Sequence, residues 1–440
     1  MTGIHMGGND QLKECKAQAN SHIAYILLSI VLCFLLILTP GCAANGGDSA
    51  AKDDGAGANT NEETAYPPPD EGAETAAVDS KYGIYYEIFV RSFADSDGDG
   101  IGDLRGLMGA LDYLNDGNDD TDTDLGVNGI YLMPVNVSPS YHKYDVTDYY
   151  DIDPEYGTLE DFEHFLGEAH KRGIRVIMDL VINHTSKGHP WFRESSSSEG
   201  SPYRDYYNWA DDTMEGYNVK AVLPSGSRLW HSLNESHYYG YFWDGMPDLN
   251  YDNPQVRKEV RDIAHFWLNK GVDGFRLDAA MHIYGIYEKP VGTKLPLKNI
   301  EWWSEFRRSA EEVKEDVYLV GEVWDKAYAA APYYEGFDSL FNFDLGEGII
   351  TSLHTGSAAA VSSKGFSQWL YDKYETYRSK KPDFIDAPFL TNHDQDRIMD
   401  RLRGNVEKAK LAANIYMTLP GNPYIYYGEE IGMADRSRMN

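Results

Sequence analysis

Gly274-Phe275-Arg276-Leu277-Asp278-Ala279-Ala280 is the stretch from which the rest of the chain can be read. An apolar run of strand length that carries two opposite charges reads as a buried strand whose far end enters a polar site. Arg276 and Asp278 are two apart, so on a strand they point to the same side. An arginine there is expected to lower the pKa of the neighbouring carboxyl and hold it ionised at neutral pH, the condition a carboxylate nucleophile needs. On this stretch alone, a structural ion pair is the competing reading.

Working outward, 82–90 reads as a strand by its aromatic and β-branched content, and further runs of strand length follow at 129–133, 174–181, 317–323, 339–343, 384–390 and 424–427. Helix-like stretches at 159–171, 254–269, 301–313, 366–377 and 406–419 separate most of them. Eight strands alternating with helices predict an α/β fold of the (β/α)8 TIM-barrel type. The one long interruption, 184–244, falls between strands three and four and is expected to form a small inserted domain. In such barrels the chemistry sits at the carboxyl ends of the strands.

Those ends are rich in acids. Strand three ends in Asp179-Leu180-Val181-Ile182-Asn183-His184-Thr185, strand five in Gly321-Glu322-Val323-Trp324 and strand seven in Thr391-Asn392-His393-Asp394. Together with Asp278 they supply carboxyl groups facing one opening. A carboxylate paired with a carboxylic acid is the equipment for cleaving a glycosidic bond through an oxocarbenium-like transition state.

Composition restricts the partners. The chain has 440 residues and a formal net charge of −31, which argues against nucleic acid and anionic membrane surfaces as ligands. Its 33 tyrosines and 9 tryptophans suit the faces of sugars, although aromatic residues also fill cores. All three cysteines, Cys15, Cys33 and Cys42, precede the globular part. An apolar run at 23–38 follows Lys13 and Lys16, is short for a membrane span, and ends in Thr39-Pro40-Gly41-Cys42. This 1–42 segment is similar to a bacterial lipoprotein signal, apart from Thr39 and Pro40. It implies an extracytoplasmic, lipid-anchored protein at the cell surface, with plain secretion as the alternative. Residues 43–80 have almost no large apolar side chains and read as a disordered acidic linker, leaving 81–440 as the folded domain.

The four strand-end motifs in this order resemble the α-amylase family of glycoside hydrolases (family 13 type) over about 82–433. Met246-Pro247-Asp248-Leu249-Asn250 resembles the form found in the subfamily intermediate between oligo-1,6-glucosidases and neopullulanases. The resemblance implies that 184–244 is domain B. It makes Asp278 the nucleophile, Glu322 the general acid and base, and Asp394 a binder of sugar hydroxyls that stabilises the transition state. Retention of configuration follows. His184 and His393 would bond sugar hydroxyls, Tyr144 would stack on the sugar, Arg276 would keep Asp278 ionised, and Asp145 would pair with Arg397 at the closed end of the site. The family continues with a C-terminal β-domain, which is expected to be missing from this sequence. The protein is expected to act as a monomer on an α-glucan.

Asp95-Ser96-Asp97-Gly98-Asp99-Gly100-Ile101-Gly102-Asp103 spaces oxygen ligands like the front of an EF-hand, with Gly106 where its closing Glu would stand. The resemblance implies a structural calcium on Asp95, Asp97, Asp99, the Ile101 carbonyl and Asp103. A second family calcium site, using an Asn like Asn183 and a carbonyl like that of His282, stays open at this stage. Ala279, where α-1,6-specific members have Val, implies α-1,4-glucan hydrolysis. Oligo-1,6-glucosidase or transglycosylase action is the alternative, and a non-catalytic transporter subunit is a remote one.

Overall fold

In the computed structural model, residues 81–118, 120–214, 218–223, 225–285 and 295–435 are described. The expected signal segment, the linker and the three cysteines lie outside them. Eight parallel strands follow one another around a cylinder: β1 (Tyr85–Ile88), β2 (Gly129–Leu132), β3 (Arg175–Leu180), β4 (Gly274–Leu277), β5 (Tyr318–Gly321), β6 (Ser339–Phe341), β7 (Ile385–Ala387) and β8 (Tyr424–Tyr426). Strand β8 pairs back onto β1. Between β7 and β8 the Asn422 N–H donates to the Asp386 carbonyl (2.8 Å) and the Tyr424 N–H to that of Pro388 (2.9 Å), which closes the barrel. The (β/α)8 expectation is met.

The two-residue period of a strand sorts the barrel interior into layers. Tyr85, Tyr131, Ile177, Tyr318, Val320, Phe341 and Tyr424 form an apolar floor of their own. Tyr85 lies stacked between Tyr318 (5.1 Å) and Tyr424 (5.0 Å). One step further along the strands the same face carries Glu87, Asp179, Arg276, Asp278 and Glu322. Gly274 belongs to that inward face of β4. A Cβ there would lie 1.9 Å from the Tyr318 carbonyl oxygen, so only glycine lets β4 and β5 pair at this point.

Outside the barrel the helices bury one face each. The helix Pro254–Asn269 is capped by Asn253, starts with Pro254, and turns Val256, Val260, Ile263 and Trp267 inward. Leu159–Lys171 opens with a capping box between Thr158 and Asp161. Both have the limits expected from sequence. The helix expected at 301–313 is Leu295–Glu311. Phe343, expected to end a strand, instead opens the helix Phe343–Thr355, because the Asn342 side chain accepts the Leu345 N–H and caps it.

The segment between β3 and β4 holds the helix Pro190–Ser197 and a small antiparallel sheet of Trp209–Ala210, Ser236–Tyr239 and Trp230–Leu233. Bridges His184–Asp248 and Tyr207–Leu249 tie its return to its exit. Among the described residues no helix is long and apolar enough to cross a membrane.

Candidate active site

Arg276, 1% exposed, stands at the centre of the carboxyl-terminal rim. Its Nη1 donates to Asp278 Oδ1 at 2.6 Å and to both oxygens of Asp179 at 3.0 Å, and its Nη2 lies 3.0 Å from Glu322 Oε2. One guanidinium therefore serves three acids from β3, β4 and the end of β5. The expected lowering of Asp278 does not follow. Burial pushes its carboxyl up to about 8, because the opposing pull of Arg276 is shared and Glu322 and Asp179 push the same way as burial.

Glu322 is fixed on one side. Its Oε2 also accepts the Ala279 N–H at 2.8 Å, so the donors converge on one oxygen and Oε1 is left for other partners. Ala279 achieves this in a left-handed conformation, φ +48°, immediately after Asp278.

The opposite side of the opening is built around Tyr144 and His393. The Tyr144 hydroxyl donates to Asp179 Oδ2 (2.8 Å) and lies 2.6 Å from His393 Nε2, and the two rings stack at 5.6 Å. Tyr131 also donates to Asp179. His393 Nδ1 meets Glu87 Oε1 at 2.5 Å, and its Nε2 lies 3.4 Å from Asp394 Oδ2. Burial by itself would depress His393, but Asp394 and Glu87 lift it to about 9. His184 faces the Tyr144 carbonyl (3.2 Å), and burial lowers it to about 3, so it is neutral.

The structure does not bring Asp145 and Arg397 into an ion pair. Asp145 accepts hydrogen bonds from Ser138 (2.8 Å) and Ser140. Arg397 donates to the Tyr427 carbonyl at 2.6 Å and lies over the rings of Tyr426 and Tyr427. Asp145 is held by serines of its own loop and Arg397 by the end of β8, partners that sequence spacing could not reveal.

In the loop after β1, Asp95, Asp97 and Asp99 bring ligand oxygens within 4.8 Å of one another. Gly98 and Gly100 adopt φ of +84° and +90°, allowing their N–H groups to turn onto Asp95 and lower its pKa. Asp103 caps the helix Leu104–Gly109 by accepting the Gly106 N–H with one oxygen and accepts the Ser96 N–H with the other. Beneath the inserted segment, Asn183 Oδ1 and Asp248 Oδ2 are buried with no hydrogen-bond partner. Burial pushes Asp248 up to about 8, against hydrogen bonds from Tyr241 N–H and Asn183. Two orphaned buried oxygens on residues this close to the His184–Asp248 bridge suit a hard cation.

Sequence reasoning counted Asp179 among the strand-end acids but gave it no role, and did not place Glu87 or Asp248 in the site. Asp179 and Glu87 carry a legible signal, since each is an acid at the inward parity near a strand end. Asp248 lay within the motif 246–250 but had no visible partner until the chain folded it back to Asn183.

A closed parallel barrel with a cluster of acids on its carboxyl-terminal rim defines a class of carbohydrate-active domain. The chain belongs to the α-amylase family: the family description "Alpha amylase, catalytic domain" matches residues 87–440. It is 50% identical over 353 residues to "Alpha-amylase 3" of Dictyoglomus thermophilum, which covers 80% of this chain and 64% of that protein. It is 36% identical to "Oligo-1,6-glucosidase" of Parageobacillus thermoglucosidasius, covering 81% and 66% respectively. A solved structure, "alpha-amylase from H.orenii", superimposes with a TM-score of 0.74 at 55% identity, covering 81% of this chain and 70% of that one. The chain thus spans a little under two thirds of these two curated relatives.

Proposed function

We propose that this domain cleaves α-1,4-glucosidic bonds of starch-like glucans and maltooligosaccharides with retention of configuration. The observation that carries the reading is the position of Asp278 and Glu322 on one guanidinium, with Glu322 anchored through a single oxygen by Ala279 N–H and Arg276. Asp278 in its ionised form attacks the anomeric carbon and forms a β-glycosyl ester. Glu322 gives its proton to the leaving oxygen from Oε1, then takes one from the water that attacks the ester. Asp394, more than half exposed beside His393, and neutral His184 would bind sugar hydroxyls, and Tyr144 would offer its ring.

Calcium fits two oxygen sets: Asp95, Asp97 and Asp99, with the Ile101 carbonyl and Asp103 as the further ligands read from the sequence, and the buried pair Asn183 and Asp248. When bound it supplies rigidity to the loops that carry the site rather than a reacting group. Residues 1–42 and 43–80 are read as a lipoprotein-type anchor and tether, on the strength of the apolar run ending at Cys42. Release of the Cys42→Ser variant from the membrane fraction is the outcome expected there.

The deciding experiment is product analysis on soluble starch and on isomaltose. Short maltooligosaccharides from starch with isomaltose intact are expected. Cleavage of isomaltose alone would favour the oligo-1,6-glucosidase reading, which the second relative keeps in play. Turnover on neither would leave the non-catalytic reading.

A further inference from the structure

Glu87 has no part in the reaction just described, yet it is a carboxylate 2% exposed at the inner end of β1. Its Oε1 accepts from His393 Nδ1 at 2.5 Å and from the His393 backbone N–H at 3.4 Å. The other ring nitrogen of His393 lies 2.6 Å from the Tyr144 hydroxyl. That hydroxyl has one hydrogen, and it points to Asp179 Oδ2 at 2.8 Å. Asp179 is bound through both oxygens by the Arg276 guanidinium and also accepts from Tyr131, so it is an acceptor only.

Proton counting then fixes the imidazole. The Tyr144 oxygen has given its hydrogen to Asp179, so it can meet His393 Nε2 only as an acceptor, and Nε2 carries a hydrogen. Glu87 as a carboxylate can only accept, so Nδ1 carries one too. We infer that Glu87 is a positioning residue that keeps His393 a doubly protonated imidazolium, giving the sugar-binding side of the opening a fixed positive donor aimed at Tyr144 and Asp394.

The groups facing the ring agree with this. Glu87 from β1 and Asp394 beside it favour the cation, Arg276 from β4 opposes it, and Tyr144 is neutral and accepting. The enclosed carboxyl of Glu429 is pushed up to about 8 by desolvation, with Glu87 among the causes, so it adds no full negative charge there at neutral pH. The arrangement is a continuous relay: Glu87, His393, Tyr144, Asp179, Arg276, and from Arg276 to Asp278 and Glu322. A strand that bears no reacting group thereby sets the charge across the opening from the nucleophile. The inference rests on reading this opening as the glucan site, but its first readout needs no substrate.

The test is the ring nitrogens of His393, followed by NMR of the ¹⁵N-histidine-labelled chain, with His393→Asn assigning the signal. In the wild type the ring is expected to stay doubly protonated through neutral pH. In the isosteric Glu87→Gln variant its titration should fall by about one pH unit or more, with Glu87→Asp returning most of it. The loss of kcat/KM on maltooligosaccharides in Glu87→Gln should be larger at pH 8 than at pH 6. A neutral His393 in the wild type at pH 7 overturns the inference, as does a titration that Glu87→Gln leaves in place. If Glu87→Gln does not fold, the wild-type ring alone decides between the two. Turnover by Asp278→Asn would instead sink the catalytic reading, while the His393 titration still reports on Glu87.

Discussion

The two rims of the barrel both bury charge, and they do so in opposite ways. At the amino-terminal rim Asp273, just before β4, is met by His170 (2.8 Å), Lys314 (3.2 Å) and the Val176 N–H (2.8 Å). Asp338, just before β6, is met by Lys81 (3.0 Å), Arg307 (2.7 Å) and the Leu319 N–H (2.9 Å), with Lys381 at 3.8 Å. Each acid there has more than one basic partner. At the carboxyl-terminal rim one arginine is divided among Asp179, Asp278 and Glu322. Burial would raise Asp273, Asp338 and Asp278 alike, but the partners win at Asp273 and Asp338, which are lowered, while Asp278 rises to about 8. The first rim is arranged for stability. The second keeps an excess of acid that is costly to the fold and useful to chemistry.

The pH dependence of the two rims therefore has opposite sign. Asp273 and Asp338 contribute stability that is present above the ordinary carboxyl pKa and is lost as pH falls through their lowered values. Asp278, with its raised pKa, contributes stability that is complete below the ordinary value near 3.8 and is lost as pH rises through about 8.

The largest expected effect comes from Asp278→Asn. Activity on starch should fall by a factor on the order of 10⁴ or more, since one member of a catalytic set is removed. The same variant should melt above the wild type at pH 8–9 and close to it near pH 4; a melting gap that grows on acidification would break the contrast between the rims. Next is Asp338→Ala, which leaves Arg307 with Glu311 alone, takes the acid from Lys81 and leaves the Leu319 N–H without its acceptor, and is expected to cost about 1–3 kcal/mol in urea unfolding. Its folded fraction should keep wild-type kcat/KM, and a drop in kcat at unchanged stability would show that the amino-terminal rim is not merely structural.

Ala279→Val tests the carboxyl-terminal rim more finely. A β-branched residue at φ +48° beside the anchor of Glu322 is expected to lose about tenfold in kcat/KM on maltooligosaccharides, in line with backbone strain of about 1–3 kcal/mol. Unchanged α-1,4 activity would remove Ala279 from the specificity argument. The smallest effect is that of calcium. Chelation should lower Tm by about 2–4 °C, equivalent to about 1 kcal/mol, with Asp97→Asn reducing the response and Asp338→Ala leaving it intact. Both candidate cation sites lie beyond strand ends β1 and β3, so a response routed through the amino-terminal rim would contradict their placement.

Much of this was legible in the chain. Apolar runs of strand length alternating with helix-like stretches placed the barrel, and the parity of Arg276 and Asp278 placed them on one inward face. Sequence misread Phe343 because an aromatic residue suits a strand as well as a helix start, and the Asn342 cap outweighed that propensity. It also misjudged Asp278, since a charge two residues away says nothing about how many other acids share it. The proposed pair of Asp145 and Arg397 failed for a related reason: the nearer serines, carbonyl and rings are brought in by loop geometry.

By itself, then, the sequence determined the element order, the inward face of each strand and which residue types stand at the strand ends, because these depend on local periodicity and capping. Only the tertiary structure decided how charge is distributed. Arg276 is shared three ways, Glu87 reaches His393 across 306 positions, and Asp248 returns to Asn183, because electrostatic energy depends on distances of a few ångströms that only closure of the barrel sets.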